Sequence, residues 1–342
     1  MAKKTKEEEP EKVQTDIDYY EKVGALLKKR AGRDVIFDSE EIADRPKLII
    51  PVSPSLDLSL GGGVLSGSMT IISGPPKLGK TTTALQICSN AQKLGKFCYY
   101  INAEHRLRER DLKGIAGLDM SRLKVIQSEE GAILSAVDLL EMSRDIIKTH
   151  PHCVLVMDSF SALSTDEDLN EGLDKQTRGG NGKLLSKFFS AVSNIYPVND
   201  ITIIGILHVM ANVTGYGPAT IEKGGFAVKY YGDTKMRGKK TEDWVVADRQ
   251  IGQLVHWEID FSSLSGPGTA VSRLRYGKGL CRETEILALG VDLGLIEKTE
   301  KGGYYTFPDQ KKAHGEPQAY EYLCQNPEIT NELERQMKGM LI

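Results

Sequence analysis

The chain has 342 residues, of which 40% are hydrophobic and 27% are charged, a balance typical of a folded globular protein. Its formal net charge of −3 argues against a protein that coats nucleic acid by bulk positive charge, but not against one whose basic groups share one surface. No apolar run approaches the roughly 20 residues that span a bilayer and the N-terminus is too charged for a signal peptide, so we expect a cytoplasmic protein without a membrane partner.

The N-terminal segment comprises residues 1–47. Residues 1–12 are almost all Lys and Glu, and we predict that this start is disordered. Residues 16–30 follow as a short amphipathic helix, with one apolar side formed by Ile17, Tyr20, Val23 and Leu27. A helix this short is marginal in water by itself. We assign it to oligomerisation, by packing on a neighbouring subunit, with packing on its own domain as the alternative.

The core domain is predicted to span residues 48–286, with residues 46–60 as a connector into it. Strand-like apolar runs alternate with helical patterns here, which favours an α/β fold with a largely parallel central sheet. The runs are residues 69–73, 97–102, 123–126, 153–157, 201–207 and 254–259. In residues 287–342 glycine and proline turns precede a polar helix, which predicts a small α/β C-terminal domain.

Residues 74–81 match the Walker A pattern G-x-x-x-x-G-K-[ST] in full. A short apolar run precedes the motif and a helical pattern follows it, so the order is strand, glycine loop, helix. In this order the backbone N–H groups of the loop form an anion nest, and the helix N-terminus adds positive potential. Lys80 would neutralise the β- and γ-phosphates, and the Thr81 hydroxyl would hold Mg²⁺. The motif predicts a protein that binds a nucleoside triphosphate.

Asp158 ends the run 153–157 and is typical of a Walker B acid. Many strands end in Asp, but the place of this one after a Walker A motif in an alternating chain makes the pattern more specific. Asp158 would orient Mg²⁺ behind Thr81, so these two residues are the predicted metal site. The predicted nucleotide-binding residues are Gly74, Pro75, Pro76, Lys77, Leu78, Gly79, Lys80, Thr81, Thr82 and Asp158.

Glu104 and His208 follow two other predicted strands. A carboxylate at a strand end beside the glycine loop is well placed to polarise an attacking water. His208 would contact the γ-phosphate directly or through water. An exposed loop glutamate and a loop histidine without a role are the alternatives. We predict that Glu104, Lys80 and His208 are catalytic.

Two long polar stretches, residues 170–183 and 211–225, are rich in glycine, and long loops within a compact domain are usually functional or disordered. Their N–H groups, hydroxyls and cations suit a phosphate backbone, and Tyr216 or Ile221 would wedge between bases. A solvated surface is the alternative. Basic residues continue the second stretch at Lys229, Lys235, Arg237, Lys239 and Lys240.

Four motifs in order resemble the RecA family of recombinases over roughly residues 48–342. Residues 74–82 are similar to the family's G-P-E-S-S-G-K-T-T, residues 102–105 to its D-A-E-H, and residues 157–163 to its V-D-S-V-A-A-L. The fourth match is to its small C-terminal domain, at residues 291–298, 304–305 and 326–328. The chain looks like a bacteriophage version, similar to UvsX-type proteins.

The resemblance implies a RecA-like P-loop ATPase core and a DNA-dependent ATPase that forms helical filaments on single-stranded DNA and exchanges strands with homologous duplex. ATP and Mg²⁺ would bind between protomers, with Glu104 as the water-activating carboxylate. Single-strand-binding and mediator proteins are further expected partners, in the host cytoplasm if the protein is phage-encoded. The DNA-binding loops would lie near residues 171–183 and 209–225. The residues expected to contact DNA are Lys175, Arg178, Lys183, Tyr216, Ile221, Lys223, Gly224, Gly225 and Lys229.

The chain departs from the family pattern at several positions. Lys278 stands where the first of two lysines reaches the neighbour's nucleotide, and we predict that it is catalytic in trans. Leu280 occupies the place of the second, with Arg275 or Arg282 as substitutes. His208 replaces the family's sensor glutamine. Adenine recognition must also differ, because other residues replace the family's acid and stacking tyrosine, namely Arg108 and Asp111.

Two other classes of protein compete with the recombinase. One is an accessory or regulatory ATPase of the same fold, or a ring-forming helicase motor. Such motors usually carry an N-terminal primase-binding domain, for which the roughly 45 residues before the core leave no room. The other is a structural DNA-coating protein, which is disfavoured because Lys80, Thr81, Glu104 and Asp158 occur together.

Overall fold

The computed structural model describes residues 16–163, 180–212, 220–223, 225–246, 248–299 and 302–341. The chain divides into two compact units, residues 1–47 and 48–342. In the first unit, helix α1 (Asp16–Ala31) matches the predicted helix to within one residue, and a short helix α2 (Ser39–Ala43) follows it.

The second unit contains the remaining elements. Its described helices are α3 (Pro54–Leu60), α4 (Lys80–Lys93), α5 (Glu109–Lys113), α6 (Ala136–Thr149), α7 (Gly180–Val192), α8 (Gly225–Tyr231), α9 (Arg282–Asp292), α10 (Gly315–Gln325) and α11 (Pro327–Leu341). Its described strands are β1 (Ile49–Ile50), β2 (Val64–Leu65), β3 (Met69–Gly74), β4 (Cys98–Asn102), β5 (Leu123–Ile126), β6 (Val154–Asp158), β7 (Thr202–Ala211), β8 (Thr220–Lys223), β9 (Thr234–Val246), β10 (Arg249–Phe261), β11 (Gly268–Arg275), β12 (Gly279–Leu280), β13 (Glu297–Lys298), β14 (Tyr304–Thr306) and β15 (Lys312–His314).

The central sheet has the strand order β12-β11-β10-β9-β3-β7-β6-β4-β5, and β8 pairs with β7 outside this order. The six strands from β9 to β5 run parallel, while β10, β11, β12 and β8 pair antiparallel with their neighbours. Strands β3 and β6 are buried at every position, as expected of strands covered on both faces. The predicted α/β fold with a largely parallel sheet is confirmed.

Helices cover both faces of the sheet and create two apolar layers. Helices α3 and α4 contribute to one layer through Leu56, Leu85 and Cys88, and helices α6 and α7 contribute to the other through Leu140 and Phe189. Each fully buried side chain of this size contributes about 1.5–3 kcal/mol through removal from water. The C-terminal part adds a three-stranded antiparallel sheet and its own apolar cluster around Phe307, Leu323 and Leu333.

Strands β8, β9 and β11 were not expected from the sequence. The outer half of β9 is exposed and charged, so its apolar residues do not form a recognisable run. The expected continuation of the second polar loop through Lys235, Arg237, Lys239 and Lys240 is therefore wrong, because these residues lie in β9. The connector assigned to residues 46–60 is also more structured than expected, since it contains β1 and the buried residues of α3.

Parts of the two predicted DNA-binding loops belong to helices and strands of the structure. Helix α7 begins at Gly180 and contains Lys183. Strand β7 extends to Ala211, β8 covers residues 220–223, and α8 begins at Gly225. Lys175, Arg178, Tyr216 and Gly224 lie outside the described residues. No helix in the described part of the chain is long and apolar enough to cross a membrane.

Candidate functional site

The glycine loop connects β3 to α4 and has a backbone that favours glycine. Gly74 and Gly79 adopt φ of 152° and 98°, and Lys77 between them adopts 63°. A Cβ at Gly79 would lie 2.5 Å from Leu274 Cδ1, so a larger residue would have to displace strand β11 or its side chain. Packing therefore restricts the shape of the loop, and a glycine loop that leads into a helix N-terminus favours an anion.

Lys80 lies at the start of α4 with its side chain buried. Its Nζ donates to the carbonyl oxygens of Gly74, at 2.9 Å, and Pro75, at 2.7 Å. Burial lowers the pKa of Lys80, and the charges of Asp158 and Glu104 act in the opposite direction. The ammonium group thus contacts the backbone of the glycine loop and is influenced by the charges of two carboxylates.

Asp158 ends β6 and meets α4 through Thr81. The Thr81 hydroxyl donates to Asp158 Oδ2 at 2.7 Å, and the buried Tyr100 hydroxyl donates to the same oxygen. Burial raises the pKa of Asp158, and both hydroxyl donors oppose this effect. Tyr100 was not predicted from the sequence, because its contact with Asp158 depends on the pairing of β4 with β6.

Glu104 follows β4 and contacts His208. The Glu104 carboxylate lies within hydrogen-bond distance of His208 Nε2, and Arg106 NH1 lies 3.5 Å from its other oxygen. The His208 hydrogen bond lowers the pKa of Glu104 to about 2, against the opposing effect of burial. The sequence placed both residues near the phosphates but did not predict that they contact each other.

His208 lies inside β7 and does not end it, which corrects the sequence-based placement. Its N–H donates to the Ser161 hydroxyl at 3.0 Å. In the sheet it is the register partner of Gly74 in β3 and of Lys223 in β8. The backbone of His208 is thereby joined both to the first glycine of the nucleotide loop and to a predicted DNA-binding strand.

Lys278 lies after β11, where it contacts the C-terminal part of the chain. Its Nζ donates to the Tyr320 hydroxyl at 3.2 Å, and the Arg275 guanidinium lies over the same ring at 4.9 Å. Arg282 is held by Glu334 and Asn331 at 2.7 Å each. Of the two proposed substitutes for the second lysine, Arg275 is therefore the one that shares the contact with Tyr320.

The described DNA-contact candidates differ in their placement. Lys183 is exposed on α7, and Lys229 is exposed on α8 with Glu222 Oε2 at 3.5 Å. Ile221 and Lys223 belong to β8, and Gly225 is the first residue of α8.

The oxygen donors beside the glycine loop are few. Among the described residues, no three His, Cys, Asp or Glu side chains are grouped so that they could hold a metal ion. A hydroxyl and a carboxylate, as at Thr81 and Asp158, fit Mg²⁺ best when substrate phosphates and waters complete its shell.

The fold and this geometry define a P-loop ATPase of the α/β class. The family model for the RecA N-terminal domain matches residues 25–281, and the model for the RecA C-terminal domain matches residues 284–341. Protein RecA of Nautilia profundicola is 29% identical over 92% of this chain and 89% of its own length. Protein RecA of Pseudomonas putida is 30% identical over 92% and 88%, and that of Nitratiruptor sp. is 30% identical over 84% and 82%. The chain belongs to the RecA family, and it is a DNA recombinase with DNA-dependent ATPase activity.

Proposed function

We propose that the protein binds ATP and Mg²⁺ between the protomers of a helical filament on single-stranded DNA, and that the filament pairs with homologous duplex and exchanges strands. The observation that carries this proposal is a group of side chains beside the C-terminal ends of β3, β4 and β6, namely Lys80, Thr81, Asp158, Glu104 and His208. The presence of both RecA domains over most of the chain supports it.

The glycine loop and Lys80 would hold the phosphates of ATP. Lys80 would exchange the carbonyls of Gly74 and Pro75 for phosphate oxygens, and Thr81 and Asp158 would hold Mg²⁺. The bound cation would supply charge neutralisation at the β- and γ-phosphates. Tyr100 would keep Asp158 oriented, because its hydroxyl donates to the oxygen that Thr81 also uses.

Glu104 would accept the proton of the attacking water. A carboxylate with a pKa of about 2 is a poor proton acceptor, and here His208 is the main cause of the low value. We therefore propose that His208 must leave Glu104 before hydrolysis. A γ-phosphate that accepts a hydrogen bond from His208 would remove it, so one residue would both sense ATP and release the base.

Lys278 and Arg275 would act on the nucleotide of the neighbouring protomer. Their shared contact with Tyr320 presents two cations at one place, which suits the charge that develops during phosphoryl transfer. For DNA binding we propose Lys183, Ile221, Lys223, Gly225 and Lys229, together with Lys175, Arg178, Tyr216 and Gly224, which lie outside the described residues.

A bacteriophage origin, of the UvsX type, is part of the proposal. It rests on the replacement of the family's sensor glutamine by His208 and on the changed adenine-contact positions Arg108 and Asp111. Single-strand-binding and mediator proteins are the proposed partners besides DNA and further copies of the chain.

Electron microscopy tests the proposed function. The protein with single-stranded DNA, Mg²⁺ and a non-hydrolysable ATP analogue should form right-handed helical filaments, and with ATP it should exchange strands between homologous molecules. The matched control is Lys80→Ala, which should form no nucleotide-dependent filament. Closed rings, or filaments that do not exchange strands, would contradict the proposal and favour a motor or accessory ATPase.

A further inference from the structure

A buried group of charged side chains connects β8 to the central sheet, and it has no assigned role in nucleotide or DNA binding. It consists of Glu222 in β8, Lys235 and Arg237 in β9, and Asp260 in β10; we call it the Glu222 cluster. Lys235 Nζ lies 2.9 Å from both carboxylate oxygens of Glu222 and 3.0 Å from Asp260 Oδ2. Arg237 pairs with Asp260, and its Nε lies 4.0 Å from Glu222.

Three of the four side chains in the cluster are largely removed from water, whereas that of Arg237 is 37% exposed. The side chains of Lys235 and Glu222 are 5% and 8% exposed, and that of Asp260 is 17% exposed. Burial raises the pKa of Glu222, but the hydrogen bonds from Lys235 and Ser73 and the charges of Lys235 and Lys229 together outweigh this effect, so the pKa is lowered. The exposed Lys229 of α8 has its Nζ 3.5 Å from Glu222 Oε2 and is a fifth charged group beside the four of the cluster.

One end of the cluster reaches the nucleotide loop through β9. Arg237 is the register partner of Ser73, the residue before Gly74. At the next position of β9, a Cβ on Gly238 would lie 2.2 Å from Leu78 Cδ2, so this strand runs against the glycine loop with no space for a side chain. A shift of the glycine loop would therefore also displace the part of β9 that carries Arg237.

The other end reaches His208 through β8. In the β7–β8 pair, Glu222 is opposite Val209, and Lys223 is opposite His208. His208 in turn contacts Glu104. The cluster thus joins two routes from the nucleotide site, one through β9 and one through β7.

Stability alone is a weak explanation for such a cluster. Removing the charges of Lys235, Glu222 and Asp260 from water is costly, and well-packed apolar residues in place of a buried ion pair are often neutral or stabilising. Charged groups shared among three strands do, however, favour a single relative placement of those strands. The geometry of the Glu222 cluster therefore suits a role in fixing the positions of β8, β9 and β10 relative to one another.

We propose that Glu222 is a positioning residue that fixes β8 to β9 and thereby transmits the nucleotide state sensed at His208 to a DNA-binding strand. This inference rests on the proposed function, because it assumes that β8, with Ile221 and Lys223, contacts DNA. Coupling between two sites requires an element that both sites bias. Strand β8 is that element here, since His208 holds it from one side and the Glu222 cluster holds it from the other.

The test compares Glu222→Gln with the matched control Asp260→Asn. Both variants remove one negative charge beside Lys235 and Arg237 and change the size of the side chain little, but only Glu222 belongs to β8 and also faces Lys229. The affinity for a labelled single-stranded oligonucleotide is measured by fluorescence anisotropy at fixed salt, once with Mg²⁺ and a non-hydrolysable ATP analogue and once with Mg²⁺ and ADP. Nucleotide affinity and the thermal unfolding midpoint are measured on the same samples.

We expect Glu222→Gln to bind both nucleotides like the parent but to lose about tenfold of the ATP-over-ADP preference in DNA affinity. Asp260→Asn should lower the unfolding midpoint similarly and keep the preference. The inference would be overturned if both variants lost the ATP-over-ADP preference equally, or if Glu222→Gln kept the full preference of the parent.

If Glu222→Gln does not fold, Glu222→Asp provides the second test. It keeps the charge but shortens the side chain by one methylene, so β8 and Lys235 can no longer meet in the same place. We expect a reduced preference, and a preference equal to that of the parent would overturn the inference. A parent protein without any preference would contradict the proposed function as well, which separates the two failures.

Discussion

The contact between Glu104 and His208 keeps the Glu104 carboxylate in its charged form. Its pKa falls to about 2 because the His208 hydrogen bond favours the ionised form, while burial acts against it. The folded-state pKa is therefore below the ordinary value of 4.5. Its contribution to stability is present above pH 4.5 and is lost as the pH falls towards 2. At neutral pH the Glu104 carboxylate is charged and hydrogen-bonded to His208.

Replacing Glu104 by Gln should separate binding from hydrolysis. The amide retains the size of the side chain but cannot accept a proton, so ATP and DNA binding should persist while turnover falls about 10²–10⁴-fold. Steady-state ATPase assays and fluorescent-nucleotide titration measure the two effects. Lys80→Ala is the control, because it should lose nucleotide binding itself. Turnover within a few-fold of the parent would show that Glu104 only supports the loop.

His208→Ala should raise the pKa of Glu104 from about 2 towards its ordinary value of 4.5, because the main donor to the carboxylate is removed. Carbon-13 NMR titration of the Glu carboxyl groups, with Glu104→Gln to assign the signal, measures this shift. A Glu104 signal that still titrates near pH 2 would mean that His208 is not the cause.

The same variant should weaken the link between nucleotide and DNA. A hydrogen bond made with ATP and absent with ADP needs a difference of only about 1–3 kcal/mol per protomer to couple the sites. His208→Ala should bind ATP measurably but lose the ATP-over-ADP preference for single-stranded DNA, and His208→Gln should keep part of it. Anisotropy with each nucleotide is the measurement, and an unchanged preference in His208→Ala would remove His208 from the sensing role.

At the scale of the elements, helix α3 is joined to the C-terminal part of the chain by buried carboxylates. Glu285 of α9 accepts the N–H of Ser55 at 3.0 Å and the N–H of Arg273 at 2.9 Å. Asp57 accepts the N–H of Val52 at 2.7 Å, with Lys338 Nζ of α11 at 3.6 Å. Burial raises the pKa of Asp57 to about 8 and that of Glu285 to about 7.

These raised pKa values predict that the free energy of unfolding falls with rising pH. The folded state retains protons that the unfolded state has released, so the stabilisation is complete below the ordinary value of 3.8 for Asp57 and is lost as the pH rises to about 8. Urea unfolding between pH 5 and pH 8 should show this trend, and Asp57→Asn should flatten it. Glu321→Gln, on the exposed side of α10, is the control. An equal slope in Asp57→Asn would contradict the assignment to Asp57.

At the scale of the whole molecule, the charged groups proposed for hydrolysis lie in two places. Lys80 and Glu104 lie beside the glycine loop, whereas Lys278 contacts Tyr320 in the C-terminal part. In a filament the second place on one protomer would serve the first place on its neighbour. With this arrangement, the nucleotide site would be complete only when protomers assemble into a filament.

Mixing two inactive variants tests the shared site. Lys278→Ala and Glu104→Gln subunits should together recover part of the ATPase activity, because some interfaces then combine an intact Glu104 with an intact Lys278. The DNA-stimulated ATPase rate is followed as the ratio of the two proteins is varied. The control is a mixture of Lys278→Ala with Lys278→Glu, in which no interface is complete. Confirmed co-assembly without recovered activity would contradict action in trans.

The nucleotide loop, the parallel sheet and the family could be predicted from the sequence because they depend on local patterns. The Walker A motif is contiguous, and buried parallel strands produce apolar runs such as residues 153–157. Strand β9 could not be predicted in this way. Its outer half is exposed to solvent, so its sequence there does not alternate between apolar and polar residues.

Only the tertiary structure determined which side chains meet. Glu104 and His208 are 104 residues apart, and they meet because β4, β6 and β7 are neighbours whose carboxyl ends lie at one edge of the sheet. The sequence pattern assigns Lys235 to the continuation of a polar loop suited to DNA, yet the structure places it in β9 between two carboxylates. Burial and charge pairing depend on the strand order, and a single sequence does not contain that order in any local segment.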